Sequence, residues 1–189
     1  SVFPIRVAGE HCLQNEVELS VLLDDLKWCF DTPANTVVEL GLLRLGVPEF
    51  YINMLNDIDL HTVRSTVTAS GTTIALAGIF HRQLHGTGQG TVEGPINWIP
   101  IADIVISVAR ASSTQPVVMP TGRGGVIEVD RAWFVDDSTL MQSGTNSMAA
   151  LQRMVDITGL MYFFLGLERR AKKCLWARLK WVMGKLQRV

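Results

Sequence analysis

An α+β domain built on a mixed or antiparallel sheet, with helices on one face, is the fold class the sequence predicts. Three observations predict it. Strand-like and helix-like segments alternate irregularly, two pairs of strands are joined by turns short enough for hairpins, and 189 residues of which 48% are apolar can bury one good core. A doubly wound parallel sheet would need regular strand–helix alternation instead.

The elements follow in order. Val17 to Leu23 is an apolar run with acidic interruptions that suits a strand, and it runs straight into Asp24 and Asp25. Asp31 or Thr32 caps a helix with Pro33 in its first turn, continued by Val37, Val38, Leu40, Leu42, Leu43 and Leu45 until Gly46 stops it. Pro48 opens a second helix through about Leu60. Val63 to Ala69 and Thr73 to Phe80 alternate around Ser70-Gly71, as in a hairpin. A Gly-rich loop, Gly86 to Gly94, leads into a long helix from Pro95 to about Ala111. Ser112 to Gly125 reads as loop, with Pro116, Pro120 and the Gly124-Gly125 turn. Val126 to Val135 and Ser138 to Gln142 read as two strands with Asp136 and Asp137 in the turn between them. A helix from Asn146 to about Leu165 ends at Gly166, and Cys174 to Val182 fits either strand or helix.

Charge and cysteine usage narrow the function classes. The formal net charge of -1 argues against holding nucleic acid by bulk positive charge, so any such contact is local. The distribution is uneven: from Arg169 to Val189 there are eight Lys and Arg and no Asp or Glu, a basic end that is either a solvated face or a phosphate-contacting surface. Cys12, Cys29 and Cys174 stand far apart with no partner at zinc spacing, which fits a reducing compartment and neither a disulfide framework nor a zinc site. No signal peptide or membrane-length apolar run is present, so the chain reads as soluble. It starts without Met, which points to a piece of something longer.

A strand reaching Asp25 and a hairpin turn at Asp136 and Asp137 would lie side by side in such a sheet, bringing three carboxylates together. Carboxylates are the ligands that hard divalent cations prefer, and in-line phosphoryl transfer is commonly served by two such ions about 4 Å apart. An Asp-Asp pair alone is most often a solvated turn. Here Ala132, Trp133, Phe134 and Val135 precede it and Leu140 and Met141 follow, at the mouth of a buried hairpin.

Four ordered motifs resemble those of reverse transcriptases, particularly the enzymes of non-long-terminal-repeat retroelements, and the resemblance covers nearly all of the chain. Asp25-Leu26-Lys27-Trp28-Cys29-Phe30-Asp31-Thr32 is similar to the first palm motif, followed by the similar Leu43-Arg44-Leu45-Gly46-Val47-Pro48. Gly88-Gln89-Gly90-Thr91-Val92-Glu93-Gly94-Pro95 resembles the second. Phe134-Val135-Asp136-Asp137 resembles the Tyr/Phe-Ala/Val-Asp-Asp box, and Gly166 to Cys174 the lysine-bearing motif after it. Gly94 stands where the family has Ser, Cys29 where it has Ala, and Trp28 where it commonly has Lys.

The resemblance implies a right-hand polymerase palm over 1–189, with partial fingers elements at 1–16 and about 46–85, a basic segment at 169–189, and the rest of the fingers and thumb in a longer parent chain. It implies Asp25, Asp136 and Asp137 as ligands of two magnesium ions, replaceable by manganese, and Lys173 as general acid toward pyrophosphate. Phe30 becomes the gate excluding a ribose 2′-hydroxyl, and Gln89 and Gly90 shape the pocket around template base and nucleotide. Asp24 reads as a capping or supporting residue. The implied partners are an RNA template with a DNA primer and deoxynucleoside triphosphates, with no membrane, and the implied location is nuclear. Two other readings stand beside this one: a non-catalytic palm-fold remnant or RNA-binding module, and a two-metal nuclease. For the latter no motif is present, and His11, His61, His81 and His85 lack carboxylate neighbours at fixed spacing.

Overall fold

The computed structural model describes residues 3–27, 29, 33–61, 63, 64, 67–69, 71, 72, 76, 77, 93–135, 137–182 and 185–188. In chain order the elements are α1 (Phe3–Gln14), β1 (Leu19–Lys27), α2 (Asn35–Arg44), α3 (Glu49–His61), β2 (Val63–Arg64), β3 (Val67–Thr68), β4 (Gly71–Thr72), β5 (Leu76–Ala77), α4 (Glu93–Ser112), β6 (Val117–Pro120), β7 (Val126–Val129), β8 (Arg131–Phe134), β9 (Asp137–Ser143), α5 (Ser147–Phe164), β10 (Glu168–Arg169), β11 (Leu175–Val182) and β12 (Lys185–Arg188). They form two compact units, Ser1–Cys29 with Ile104–Val189, and Phe30–Asp103.

The first unit is an α+β assembly on one antiparallel sheet of order β12-β11-β1-β9-β8, with the short β10 also paired to β1. β1 is central, and its pleat sends alternate residues to opposite faces. On one face Leu22 and its partner Leu140 pack with Ala109 of α4 and with Leu151, Met154 and Val155 of α5. Leu22, Leu140, Leu151 and Met154 are at most 1% exposed, and burying a side chain of that size stabilises by about 1.5–3 kcal/mol. On the other face Leu19 and Met141 pack with Ala8 and Cys12 of α1 and with Val117 of β6. The two long helices therefore share one face, and α1 closes one end of the other.

The wholly buried Gln142 ties the sheet to the segment after α4. Its amide oxygen accepts from the backbone N–H of Thr114 (3.2 Å) and Gln115 (2.8 Å), and its nitrogen donates to Ser113 Oγ and the Met141 carbonyl. Every polar atom of the amide thus has a partner, which is what makes its burial tolerable. α5 ends in a Schellman motif: Gly166, at φ +72°, donates to the Phe163 carbonyl, and Leu167 donates to that of Tyr162.

In the second unit α2 ends the same way at Gly46. Asn56 of α3 donates to Glu39 of α2, and Arg44 pairs with Asp103 at 3.1 Å. A Cβ at Gly41 would come within 2.6 Å of the Pro100 side chain, so this glycine permits the close approach of α2 and α4. β2 pairs with β5 and β3 with β4 as nested antiparallel pairs, in keeping with the hairpin read around Ser70-Gly71.

Several sequence expectations need correction. α1 was not foreseen. Ser112 to Gly125, read as loop, contains β6, which forms a hairpin with β7 closed by Thr121 and Gly125. Pro116 and Pro120 gave the loop signal, but β6 pairs with β7 alone, and an edge strand accommodates a residue without an N–H. The strand read over Val126 to Val135 is two strands broken at Asp130, whose carbonyl accepts the Met141 N–H at 2.7 Å. β1 does not stop before the acids but runs through them to Lys27. Of the two forms left open for the segment from Cys174, the structure takes the strand.

Candidate metal-binding face

Because β1 continues through Asp24 and Asp25, the two carboxylates point to opposite faces. Asp25 is the direct cross-strand partner of Asp137, the first residue of β9. Directly opposed antiparallel residues share a face with Cβ atoms about 5 Å apart, so register alone brings these two acids together from distant parts of the chain. Among the described residues no group of three His, Cys, Asp or Glu side chains converges as a metal cage.

The turn between β8 and β9 is strained. Phe134 pairs with Asp137, and Val135 between them sits at φ +56°, a left-handed conformation that a β-branched residue adopts only at a cost of about 1–3 kcal/mol. The Trp133 indole N–H donates to the Val135 carbonyl at 2.8 Å and steadies the turn. Strain of this kind concentrates at ligand-binding turns.

Asp25 faces a cleft of about 590 Å³ whose walls include Leu23, Phe134, Asp137, Lys173 and Leu175. The cleft is lined by apolar side chains around a few charges, the composition of a ligand site. Lys173 Nζ lies 3.2 Å from Asp25 Oδ2, and Arg170 Nη1 lies 3.7 Å from Oδ1. At that distance Arg170 makes no hydrogen bond, and among the described residues the buried Oδ1 has no hydrogen-bond partner. Both cations belong to the turn between β10 and β11, which is tied back to β1 by the Arg170 N–H donating to the Asp25 carbonyl at 2.8 Å.

Asp24 has the opposite surroundings. Its buried carboxylate accepts two hydrogen bonds from Arg169 Nε (2.8 and 3.0 Å), one from the Tyr162 hydroxyl (3.3 Å) and one from the Cys174 thiol (3.3 Å). Burial first, and the Asp24 charge second, push the Tyr162 phenol well above its ordinary value. Burial chiefly raises the Cys174 thiol as well, so both remain protonated donors. The Arg169 guanidinium also stacks over the Tyr162 ring at 5.1 Å. Asp24 is thus saturated: the residue borders the cleft, but its carboxylate is closed to solvent.

Of the residues singled out from sequence, the structure brings together Asp25, Asp137 and Lys173. Phe30, Gln89, Gly90 and Asp136 lie outside the described residues. Sequence reasoning gave Tyr162 no role and read Arg169 and Arg170 only as the start of the basic end, not as partners of Asp24 and Asp25; their adjacency just after a helix-ending glycine was the one available signal.

No family model and no curated protein matches the chain. Solved structures do. The apo telomerase of Candida tropicalis truncated from its C-terminal domain aligns at TM-score 0.62 and 10% identity, over 100% of this chain and 39% of that one. The telomerase of Candida albicans in complex with a TWJ fragment of telomeric RNA aligns at 0.57 and 13% identity, over 89% and 29%. The corresponding Candida tropicalis complex aligns at 0.61 and 10% identity, over 92% and 29%. The chain therefore spans 29% to 39% of the length of these structures. At such identities the likeness is one of fold: the chain has the α+β, right-hand polymerase fold of these structures.

Proposed function

We propose that this chain carries the palm of an RNA-directed DNA polymerase of the non-long-terminal-repeat retroelement kind, adding deoxynucleotides to a primer 3′ end. The observation that carries the reading is the register of β1 against β9, which sets Asp25 opposite Asp137 on the open face of a polymerase-like sheet. The donor set fits hard divalent ions: two carboxylates face the cleft, one of them with a buried oxygen that has no hydrogen-bond partner among the described residues. Asp25, Asp136 and Asp137 would hold two magnesium ions, which supply activation of the attacking hydroxyl and neutralisation of charge on the leaving phosphates. The protein's own part is positioning. Asp25 and Asp137 are fixed by the sheet ladder, Lys173 holds a proton beside the site for the pyrophosphate, and Phe30, Gln89 and Gly90 shape the sugar and template-base pocket. Leu23, Phe134 and Leu175 give the cleft apolar walls. Template RNA, DNA primer and deoxynucleoside triphosphates are the proposed partners; two of the structures similar in fold hold telomeric RNA.

A second reading, a palm-fold RNA-binding module without catalysis, is favoured by Lys173 and Arg170, which already neutralise Asp25. Primer extension separates the two. The parent chain is expected to extend a DNA primer on an RNA template with magnesium, and Asp136→Asn to lower the rate at least about 10³-fold with unchanged circular dichroism. RNA binding by a parent chain that extends no primer would establish the second reading.

A further inference from the structure

The polymerase reading gives Asp24 only a general supporting part and does not say what it supports; its four hydrogen bonds have an unusual distribution along the chain. Arg169 and Cys174 are the two ends of one short segment, and Asp24 binds both: Arg169 Nε at 2.8 Å and Cys174 Sγ at 3.3 Å, each to Oδ1. Between those ends the backbone turns, with the Lys173 N–H donating to the Arg170 carbonyl at 2.8 Å and the Ala171 N–H to that of Arg169 at 3.1 Å. The turn carries Arg170 and Lys173, whose charged ends stand 3.7 and 3.2 Å from Asp25. Two adjacent acids on β1 thus meet one turn from both sides of the sheet, Asp24 on the buried side and Asp25 in the cleft.

The cleft side alone does not hold this arrangement. The Lys173 side chain is 62% exposed, and an ion pair so open to solvent is worth little and is screened by salt. The Asp24 side is closed to solvent at the carboxylate, whose two oxygens share the charged Arg169 Nε–H, and is backed by Tyr162 and by Thr158, to which Arg169 Nη2 donates at 3.5 Å. The β10 and β11 ladders and the Arg170 N–H bond to the Asp25 carbonyl hold the ends and backbone of the turn, and Asp24 adds the one solvent-closed side-chain anchor among the contacts that place Lys173.

We propose that Asp24 is a positioning residue: through Arg169 and Cys174 it fixes the turn that sets Lys173, and with it Arg170, against Asp25. The proposal rests on the polymerase reading for the use made of Lys173, but the anchoring itself does not.

The test is hydrogen exchange on the whole chain carrying Asp24→Asn, which keeps the shape of the side chain and removes its charge. The Lys173 and Arg170 amides are expected to exchange at least about tenfold faster, while those of Leu22 and Leu140 stay as in the parent. Arg169→Gln, a change at a partly exposed site, gives the same pattern should Asp24→Asn loosen the core as well. Unchanged exchange at 170 and 173 in both variants, or equal acceleration across β1 and β9, overturns the proposal. In primer extension, Lys173→Met is expected to slow the parent chain about tenfold or more and to have no further effect in the Asp24→Asn background. Additive losses from two residues that do not touch would also overturn it. A parent chain inactive in primer extension but showing the expected exchange pattern would sink the polymerase reading and leave the anchoring intact.

Discussion

The two faces of the β1–β9 pair differ as sharply as two surfaces of one sheet can. On one, Leu22 and Leu140 are closed over by α4 and α5, and Asp24 has every lone-pair direction answered by a donor. On the other, Asp25 has a buried oxygen without a hydrogen bond among the described residues, Asp137 is exposed, and the neighbouring Phe134 and Leu175 are 64% and 62% exposed. The sequence places these opposites side by side, at 24 and 25, because a strand changes face at every residue. The closed face supplies stability along its whole length, whereas the other face is packed under α1 at its Leu19–Met141 end and open only at its Asp25 end, where the proposed chemistry would take place.

That division is sharpened by substitutions on each side. Leu140→Ala removes a side chain that has no exposure, and is expected to cost about 2–5 kcal/mol in urea unfolding. A loss under about 1 kcal/mol would mean that the core lies elsewhere. Cys12, sealed by α1 against the sheet, gives an alkaline signature. Burial pushes its thiol from 9.0 up to about 11. The unfolded chain releases this proton first as the pH rises, so stability present below about pH 9 declines by at most about 2–3 kcal/mol as the pH reaches 11, and Cys12→Ala removes that slope. A slope unchanged in the variant would show that the thiol is not sealed. The smallest effect belongs to the open face: Phe134→Ala is expected to change stability by no more than about 0.5 kcal/mol, as measured in the same urea titration.

What could be read from the sequence follows from which interactions are local. Val17 to Leu23 alternates, and the apolar residues either side of Asp136-Asp137 mark a hairpin, so the strand carrying Asp25 and the hairpin containing Asp137 were both legible. Their register was not, because it is set by contacts between residues more than a hundred positions apart. α1 escaped notice because its buried positions, Ala8 and Cys12, are small, while Phe3 at its start is 77% exposed. Ser20, Gln142, Ser147 and Thr158 are polar yet wholly buried, each answered by a distant or backbone partner that polarity patterns cannot show. Asp24 is the clearest case: in sequence it forms half of an acidic pair, and in the fold its partner is Arg169.

The reading of the open face as a divalent-metal site is tested most directly by a crystal structure of the chain soaked with manganese, measuring the separation of the Asp25 and Asp136 carboxylates. The account predicts carboxylates within about 5 Å of one another, sharing an anomalous manganese peak, with Asp137 beside them. Carboxylates more than about 10 Å apart in well-ordered backbone, with no manganese between them, would contradict it.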